Sequence, residues 1–231
     1  MATTKQNFLR HVTERIARIP KTEKTEALKD IAEIRRHYAI TYAEIGDTAE
    51  ALVDKFKNEL EALSGIVKIS NSPEETFQHL LELLKETNAK KIISWSDPTL
   101  KAYPIKNLGQ YGYELMTSED STVAYKLFAK DADTGITGAK YAVAETGSIV
   151  LEAGIGKERS ISLMPNLHIA IVKTSQFVKH TSQVFIDLAN SNALPSSVNF
   201  ITGPSRSADI EMDLSIGVHG PSKIAVIIEK D

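Results

Sequence analysis

Between Ile66 and Trp95 the chain passes from a short apolar stretch, through a capped amphipathic segment, into a second apolar stretch. Ile66-Val-Lys-Ile69 has the length and β-branched content of a strand. Ser72-Pro73-Glu74-Glu75 follows, with Ser72 placed as an N-cap, Pro73 at the first helical position and Glu75 closing a capping box. Phe77, Leu80, Leu81 and Leu84 then recur at helical spacing, and Lys91-Ile-Ile-Ser-Trp95 reads as the next strand. A strand, a helix and a strand in that order predict a right-handed parallel crossover and an α/β fold. Ser96-Asp97-Pro98 breaks the chain just past the strand's carboxyl end, where open α/β sheets bind ligands. Ser94, Ser96 and Asp97 are thus site candidates, although Asp97 is better read as a helix cap.

A second informative stretch runs from Asp133 to Leu151. Tyr141–Ala144 and Ser148–Leu151 read as buried strands, joined by Glu145-Thr146-Gly147. Gly147 suits the positive φ of a tight turn, and Glu145 would then face water. The alternative is a reactive carboxylate at the mouth of a sheet. Gly135-Ile-Thr137-Gly138, just before the first of these strands, allows a close backbone approach to a ligand or a tight turn. Its spacing matches neither a dinucleotide fingerprint nor a phosphate loop.

The first 62 residues have a different character. Phe8, Leu9, Val12, Ile16 and Ile19 recur at helix spacing up to Pro20; Ala27, Leu28, Ile31, Ile34 and Tyr38 predict a second helix. Leu52, Val53, Phe56, Leu60 and Leu63 predict a third. Residues 1–62 therefore read as a helical N-terminal appendage to an α/β domain spanning 63–231. The basic cluster Arg35-Arg36-His37 reads as a solvated face.

Composition narrows the function classes. A net charge of −3 and a pI near 6.1 leave no basic footprint for nucleic acid. The chain has no cysteine, which excludes disulfides, thiol nucleophiles and cysteine-ligated iron–sulfur clusters held by this chain. No apolar run approaches a membrane span and no signal peptide is visible, so a cytoplasmic protein is expected.

Further along, Glu152-Ala-Gly-Ile-Gly-Lys-Glu-Arg159 reads as a glycine-containing hairpin loop that places Arg159 before Ile161 and Leu163. Leu167–Val172 is a strong strand with His168 inside it, better explained as a structural residue than as a ligand. Thr181 or Ser182 is placed to cap a helix carrying Val184, Phe185 and Leu188. After the strand Val198–Ile201 comes Thr202-Gly203-Pro-Ser205-Arg206-Ser207, with the chemistry of an anion site: Gly203 frees the backbone, Ser205 and Ser207 offer hydroxyls, and Arg206 a planar fork. A helix starting near Ser207 would add its free N–H groups; a turn with Arg206 paired to Asp209 or Glu211 is the alternative. Asp209, Glu211 and Asp213 alternate without histidines or an EF-hand pattern, so no metal is expected. His219, between glycines before the last strand, is a further candidate.

Three segments together resemble the LUD (lactate-utilisation) domain family, especially its short cysteine-free protein C members. They are Gly135-Ile-Thr-Gly-Ala with Ala144-Glu-Thr146-Gly-Ser; Arg159-Ser-Ile-Ser-Leu-Met-Pro-Asn-Leu-His-Ile-Ala; and Thr202-Gly-Pro-Ser-Arg-Ser-Ala-Asp-Ile-Glu with Gly217-Val-His-Gly-Pro. The resemblance covers roughly residues 60–228. It implies a mixed, largely parallel sheet flanked by helices, as in ribose-5-phosphate isomerase and coenzyme A transferase-like folds. It also implies a part in oxidising L-lactate to pyruvate alongside iron–sulfur subunits, with the clusters on those partners and no cofactor in this chain.

Three functional expectations follow. The chain is the non-redox subunit of an iron–sulfur-dependent lactate oxidation system that binds a small carboxylate or phosphate. Alternatively it is a stand-alone enzyme with coenzyme A transferase-like or isomerase-like chemistry, because coenzyme A transferases carry a glutamate nucleophile in a Glu-x-Gly setting that Glu145-Thr-Gly147 resembles. In that reading Gly135–Gly138 and Thr202–Arg206 hold the anionic end of the substrate. The third expectation is a small-anion sensor that needs Arg206 but not Glu145. A homo-oligomer is compatible with each.

Overall fold

The computed structural model describes residues 45–119, 122–191, 193–208, 214–216 and 220–231. The two helices expected before residue 40, the Arg35–His37 cluster, Asp209, Glu211, Asp213 and His219 lie outside the described residues. The first described helix is α1 (Ala49–Ala62), capped by the Thr48 hydroxyl, which accepts from the Ala51 amide. It buries Val53, Phe56 and Leu60 in the same apolar cluster as the strands that follow. The compact unit accordingly runs from Ile45 to Asp231, and this third helix of the expected appendage is packed with the sheet.

The chain continues through β1 (Ile66–Ser70), α2 (Pro73–Glu86) and β2 (Lys91–Ser94). The α2 start is the anticipated one: Ser72 accepts from the Glu75 amide, Pro73 occupies the first turn, and Glu75 reaches back to the Asn71 amide. After β2, Asp97 caps a 3-10 turn over Pro98–Leu100, and a second 3-10 stretch over Ile105–Tyr111 leads into β3 (Glu114–Thr117). Next come α3 (Thr122–Lys130), β4 (Thr134–Gly138), β5 (Tyr141–Val143), β6 (Ser148–Glu152), α4 (Ser160–Leu163) and β7 (Leu167–Lys173). The remainder is β8 (Phe177–Val178), α5 (Thr181–Asn190), β9 (Val198–Ile201), β10 (Arg206–Ala208), β11 (Leu214–Ile216) and β12 (Lys223–Glu229).

The parallel crossover inferred from Ile66–Trp95 is realised in a six-stranded sheet ordered β1-β12-β7-β4-β2-β3, every pair parallel. Strands β2, β7 and β12 are nearly continuous apolar runs, as expected of a sheet covered on both faces. A second sheet, ordered β8-β5-β6-β9, is mixed: β5–β6 and β6–β9 are antiparallel, β5–β8 parallel. Side chains alternate across it. Ala142, Ile149 and Leu151 join the main core, while Val143 and Val150 face Val184 of α5. Phe56 of α1 meets Phe177 of β8 edge to face at 5.3 Å. Among the described residues no helix is long and apolar enough to cross a membrane.

Two expectations change. Gly135-Ile-Thr-Gly138 is the wholly buried strand β4 at the middle of the large sheet, not a loop. Glycine is required at 135 because a Cβ there would lie 1.8 Å from the Ile161 carbonyl oxygen, so Gly135 lets α4 press onto the sheet. Arg206–Ala208 form a strand paired with β11, so no helix begins near Ser207.

Candidate functional site

The strand order fixes where a cleft must open. From β2 the chain moves to its neighbour β3 at the sheet edge, whereas from β4 it proceeds the other way, through the second sheet, to β7 and then β12. The connections leaving the adjacent carboxyl ends of β2 and β4 therefore diverge, and such a switch point leaves a crevice outside the sheet. Two cavities lie there, of about 350 and 330 Å³, and both are bordered by Trp95 and Asp97 from the loop after β2. The first lies between the ends of β2 and β3, among Ser94, Tyr103, Ile105 and Thr117. The second lies on the β4 side, among Thr99, Lys140, Tyr141, Glu152 and Lys157.

Asp97 is the organising residue. Its carboxylate, only 2% exposed, accepts at Oδ1 from the Thr99 amide at 2.8 Å and from the Thr99 hydroxyl, and lies 2.6 Å from Lys157 Nζ through Oδ2. Burial pushes this carboxyl up, but the bonds from Lys157 and Thr99 outweigh it and hold Asp97 below the usual aspartate value. Lys157 in turn lies over the Trp95 ring, 5.8 Å from its centroid, and the Trp95 indole donates to the Glu158 carbonyl at 3.1 Å.

The loop carrying Lys157 is clipped to the end of β2. The Gly156 carbonyl accepts from the Ser96 amide at 3.0 Å and from the Ser118 hydroxyl at 2.7 Å. Gly156 has φ +76°, and a Cβ would lie 2.7 Å from the Ser96 carbonyl oxygen, so the loop can approach this closely only through glycine. On the first cavity's rim, Glu119 accepts from the Ser96 hydroxyl and pairs with Lys106 at 3.3 Å. Of these residues, sequence reasoning named Ser94, Ser96 and Asp97 but not Lys157. Its signal was Gly154-Ile-Gly156-Lys157, where paired glycines bring one lysine back to the sheet.

The other expected site residues fall into separate places. Glu145, 13% exposed at its side chain, accepts from the Thr181 amide at 2.6 Å through Oε1 and lies 2.8 Å from His180 Nδ1 through Oε2. The N-cap of α5 is His180 and not the anticipated Thr181 or Ser182, and Glu145 satisfies the first amide of the helix from outside it. Burial raises its pKa, yet the Thr181 and His180 bonds prevail and hold it below the ordinary glutamate value. Thr146 and Thr202 are brought together: Ser148 Oγ lies 2.7 Å from Thr146 Oγ1 and 2.6 Å from Thr202 Oγ1. Gly147 (φ +62°) and Gly203 (φ +98°) both abut the end of α1, at Glu59–Leu60 and at Leu63. The Ser205 amide donates to the Pro221 carbonyl at 2.9 Å.

Thr137 pairs with His168 Nε2 at 2.8 Å inside the large sheet, sealed from solvent. Burial depresses the His168 pKa to about 3, so its ring is neutral. Gly138 ends β4 beside the second cavity, where a Cβ would meet the Thr99 hydroxyl at 2.6 Å. Arg159 is exposed at the start of α4. Arg206 sits in β10, with the Glu145 and Thr202 segments in a different sheet or its flanking loop. Among the described residues no group of histidine, aspartate and glutamate side chains is arranged to hold a metal ion.

An open parallel sheet with a divided cleft at its strand switch puts the chain among the open-sheet α/β architectures. Residues 53–228 match the LUD domain family, and the chain belongs to it. It is similar over 100% of both chains, at 33% identity across 242 residues, to Lactate utilization protein C of Shouchella clausii. It is 42% identical over 160 residues to the protein of the same name from Halalkalibacterium halodurans, covering 67% of this chain and 69% of that one. The Bacillus subtilis protein of that name is 35% identical over 203 residues, 80% of this chain and 81% of its own. Among solved structures, a DUF162 family protein from Deinococcus radiodurans shares the fold with a TM-score of 0.59 at 20% identity, covering 80% of this chain and 99% of its own.

Proposed function

We propose that this chain serves lactate utilisation in the cytoplasm as a cysteine-free subunit that binds a small carboxylate, while iron–sulfur clusters on separate subunits carry the electrons. The observation that carries the reading is the likeness, end to end, to a protein named Lactate utilization protein C. The absence of cysteine supports the division of labour, because thiolates are the usual cluster ligands and this chain has none to offer. Two cavities at the strand switch are of a size that admits a metabolite. Against a coenzyme A transferase-like role for Glu145 stands the engagement of both its oxygens, one by the Thr181 amide and the other by the His180 ring, which leaves the carboxylate poorly placed to attack an acyl thioester.

Deleting the gene in its host tests the role. The expected result is loss of growth on L-lactate as sole carbon source, with the tagged native protein co-purifying with iron–sulfur subunits. Undiminished growth together with purification of the protein alone would overturn the reading.

A further inference from the structure

We propose that the cavity on the β4 side of the cleft is the carboxylate site, and that Lys157 is the group recognising the ligand's charge. The inference rests on the carboxylate-binding role for its ligand class, while its location rests on the geometry alone.

Lys157 is a prepared cation. Its ammonium carries three donors, of which Asp97 engages one at 2.6 Å. The Trp95 face supports it from a second direction, and the side chain keeps 35% of its surface open while bordering the cavity. Asp97 cannot itself receive a ligand, since both oxygens are occupied and it is almost wholly buried. Its part is to hold the ammonium in place, so that little side-chain entropy is lost when an anion arrives. The clipped Gly156 turn fixes the backbone that carries the lysine.

The charges around the cavity select the ligand class. Lys140 and Lys157 are balanced by Asp97 and Glu152, so the lining sums to zero and each negative charge a ligand brings meets the repulsion of two carboxylates, which a dianion such as phosphate doubles. A monocarboxylate brings one charge, and Lys157 can meet it with a charge-assisted hydrogen bond. Glu152 offers an acceptor for a hydroxyl on the same molecule, and Trp95 and Val178 give a short carbon chain an apolar wall. A cavity of about 330 Å³ suits a metabolite rather than a large cofactor.

Titration calorimetry on the full chain with L-lactate, pyruvate and inorganic phosphate tests the site. The wild type is expected to bind a monocarboxylate more tightly than phosphate. Lys157→Met is expected to weaken that binding about tenfold or more, the usual scale of a hydrogen bond to a charged group. Asp97→Asn, which loosens the hold on the ammonium but leaves the cation, is expected to weaken monocarboxylate binding by less than Lys157→Met does. Should Lys157→Met unfold by stranding Asp97, the double variant Asp97→Asn/Lys157→Met removes both charges; it is expected to fold without binding. Tighter binding of phosphate, no binding of either monocarboxylate, or unchanged affinity in a folded variant lacking Lys157 overturns the site. Loss of lactate growth on gene deletion, with no calorimetric binding, overturns this site and leaves the biological role standing. Lysine-dependent binding in a chain whose deletion spares growth does the reverse.

Discussion

The Glu145 carboxylate accepts from the Thr181 amide at 2.6 Å, so the turn between β5 and β6 caps a helix that starts 36 residues further along the chain. Lys179 and His180 donate their amides to the Gln183 side chain at 2.8 and 2.9 Å, completing the same cap from the other side. Glu145→Ala is expected to lower stability by about 1–2 kcal/mol, the usual value of an N-cap, in urea or thermal unfolding. The folded-state pKa is depressed, so the carboxylate's contribution is complete above the unfolded value near 4.5 and disappears as pH falls through the lower folded value. Glu145→Gln should therefore flatten stability below about pH 4.5 relative to wild type. Hydroxylamine trapping with acyl-coenzyme A is expected to yield no adduct at this residue.

His168 gives the opposite chemistry the same direction of pH dependence. Burial holds its folded pKa at about 3 against the ordinary histidine value of 6.5, so the unfolded chain takes up a proton that the folded chain refuses. Stability is full above pH 6.5 and falls as pH drops from there towards 3, by on the order of a few kcal/mol. His168→Leu should remove most of that slope between pH 6.5 and 4, measured by denaturant midpoints. An unaltered slope would show that other groups dominate acid unfolding.

Gly135→Ala places a methyl group 1.8 Å from the Ile161 carbonyl oxygen, a backbone atom that cannot rotate away. We expect a loss of about 3 kcal/mol or more, or insoluble expression. Gly154→Ala, where a Cβ meets nothing within 4 Å, is the control and should leave the melting temperature nearly unchanged.

Phe56→Ala tests where the α/β unit begins. Phe56 is fully buried and meets Phe177 of the second sheet, so truncation should cost about 3–5 kcal/mol in cooperative unfolding of the whole sheet unit. A loss below about 1 kcal/mol would restore α1 to a separate appendage.

Local signals made much of the fold legible. The Ser72 N-cap with Pro73 and the apolar runs of β1, β2, β7 and β12 each carry their own period or cap and form where expected, although Glu75 reaches back to the Asn71 amide and not to that of Ser72. What the sequence hid depends on distant partners. Gly135-Ile-Thr-Gly138 lacks the bulk of a typical strand, and only the approach of α4 explains why a central strand is built from glycine and threonine. Glu145 looks unattached beside Thr146 and Gly147 because its partner, the start of α5, is remote in the chain. Asp97 is legible as a cap from its neighbour Pro98, while its ion pair with Lys157 needs the 154–157 loop to fold back. The candidates therefore separate into a strand-switch cleft, a buried strand and a helix cap, distinctions that spacing along the chain does not encode.

Thr146, Ser148 and Thr202 form a line of three hydroxyls, 2.7 and 2.6 Å apart. Each hydroxyl both gives and takes a hydrogen, so the line holds together with its hydrogens pointing either way. A donor or acceptor placed at the Thr146 end selects one sense, and the Thr202 end reverses with it. The β5–β6 turn and the loop after β9 thus share a two-position polarity, communicated by hydroxyl rotation alone with no movement of backbone.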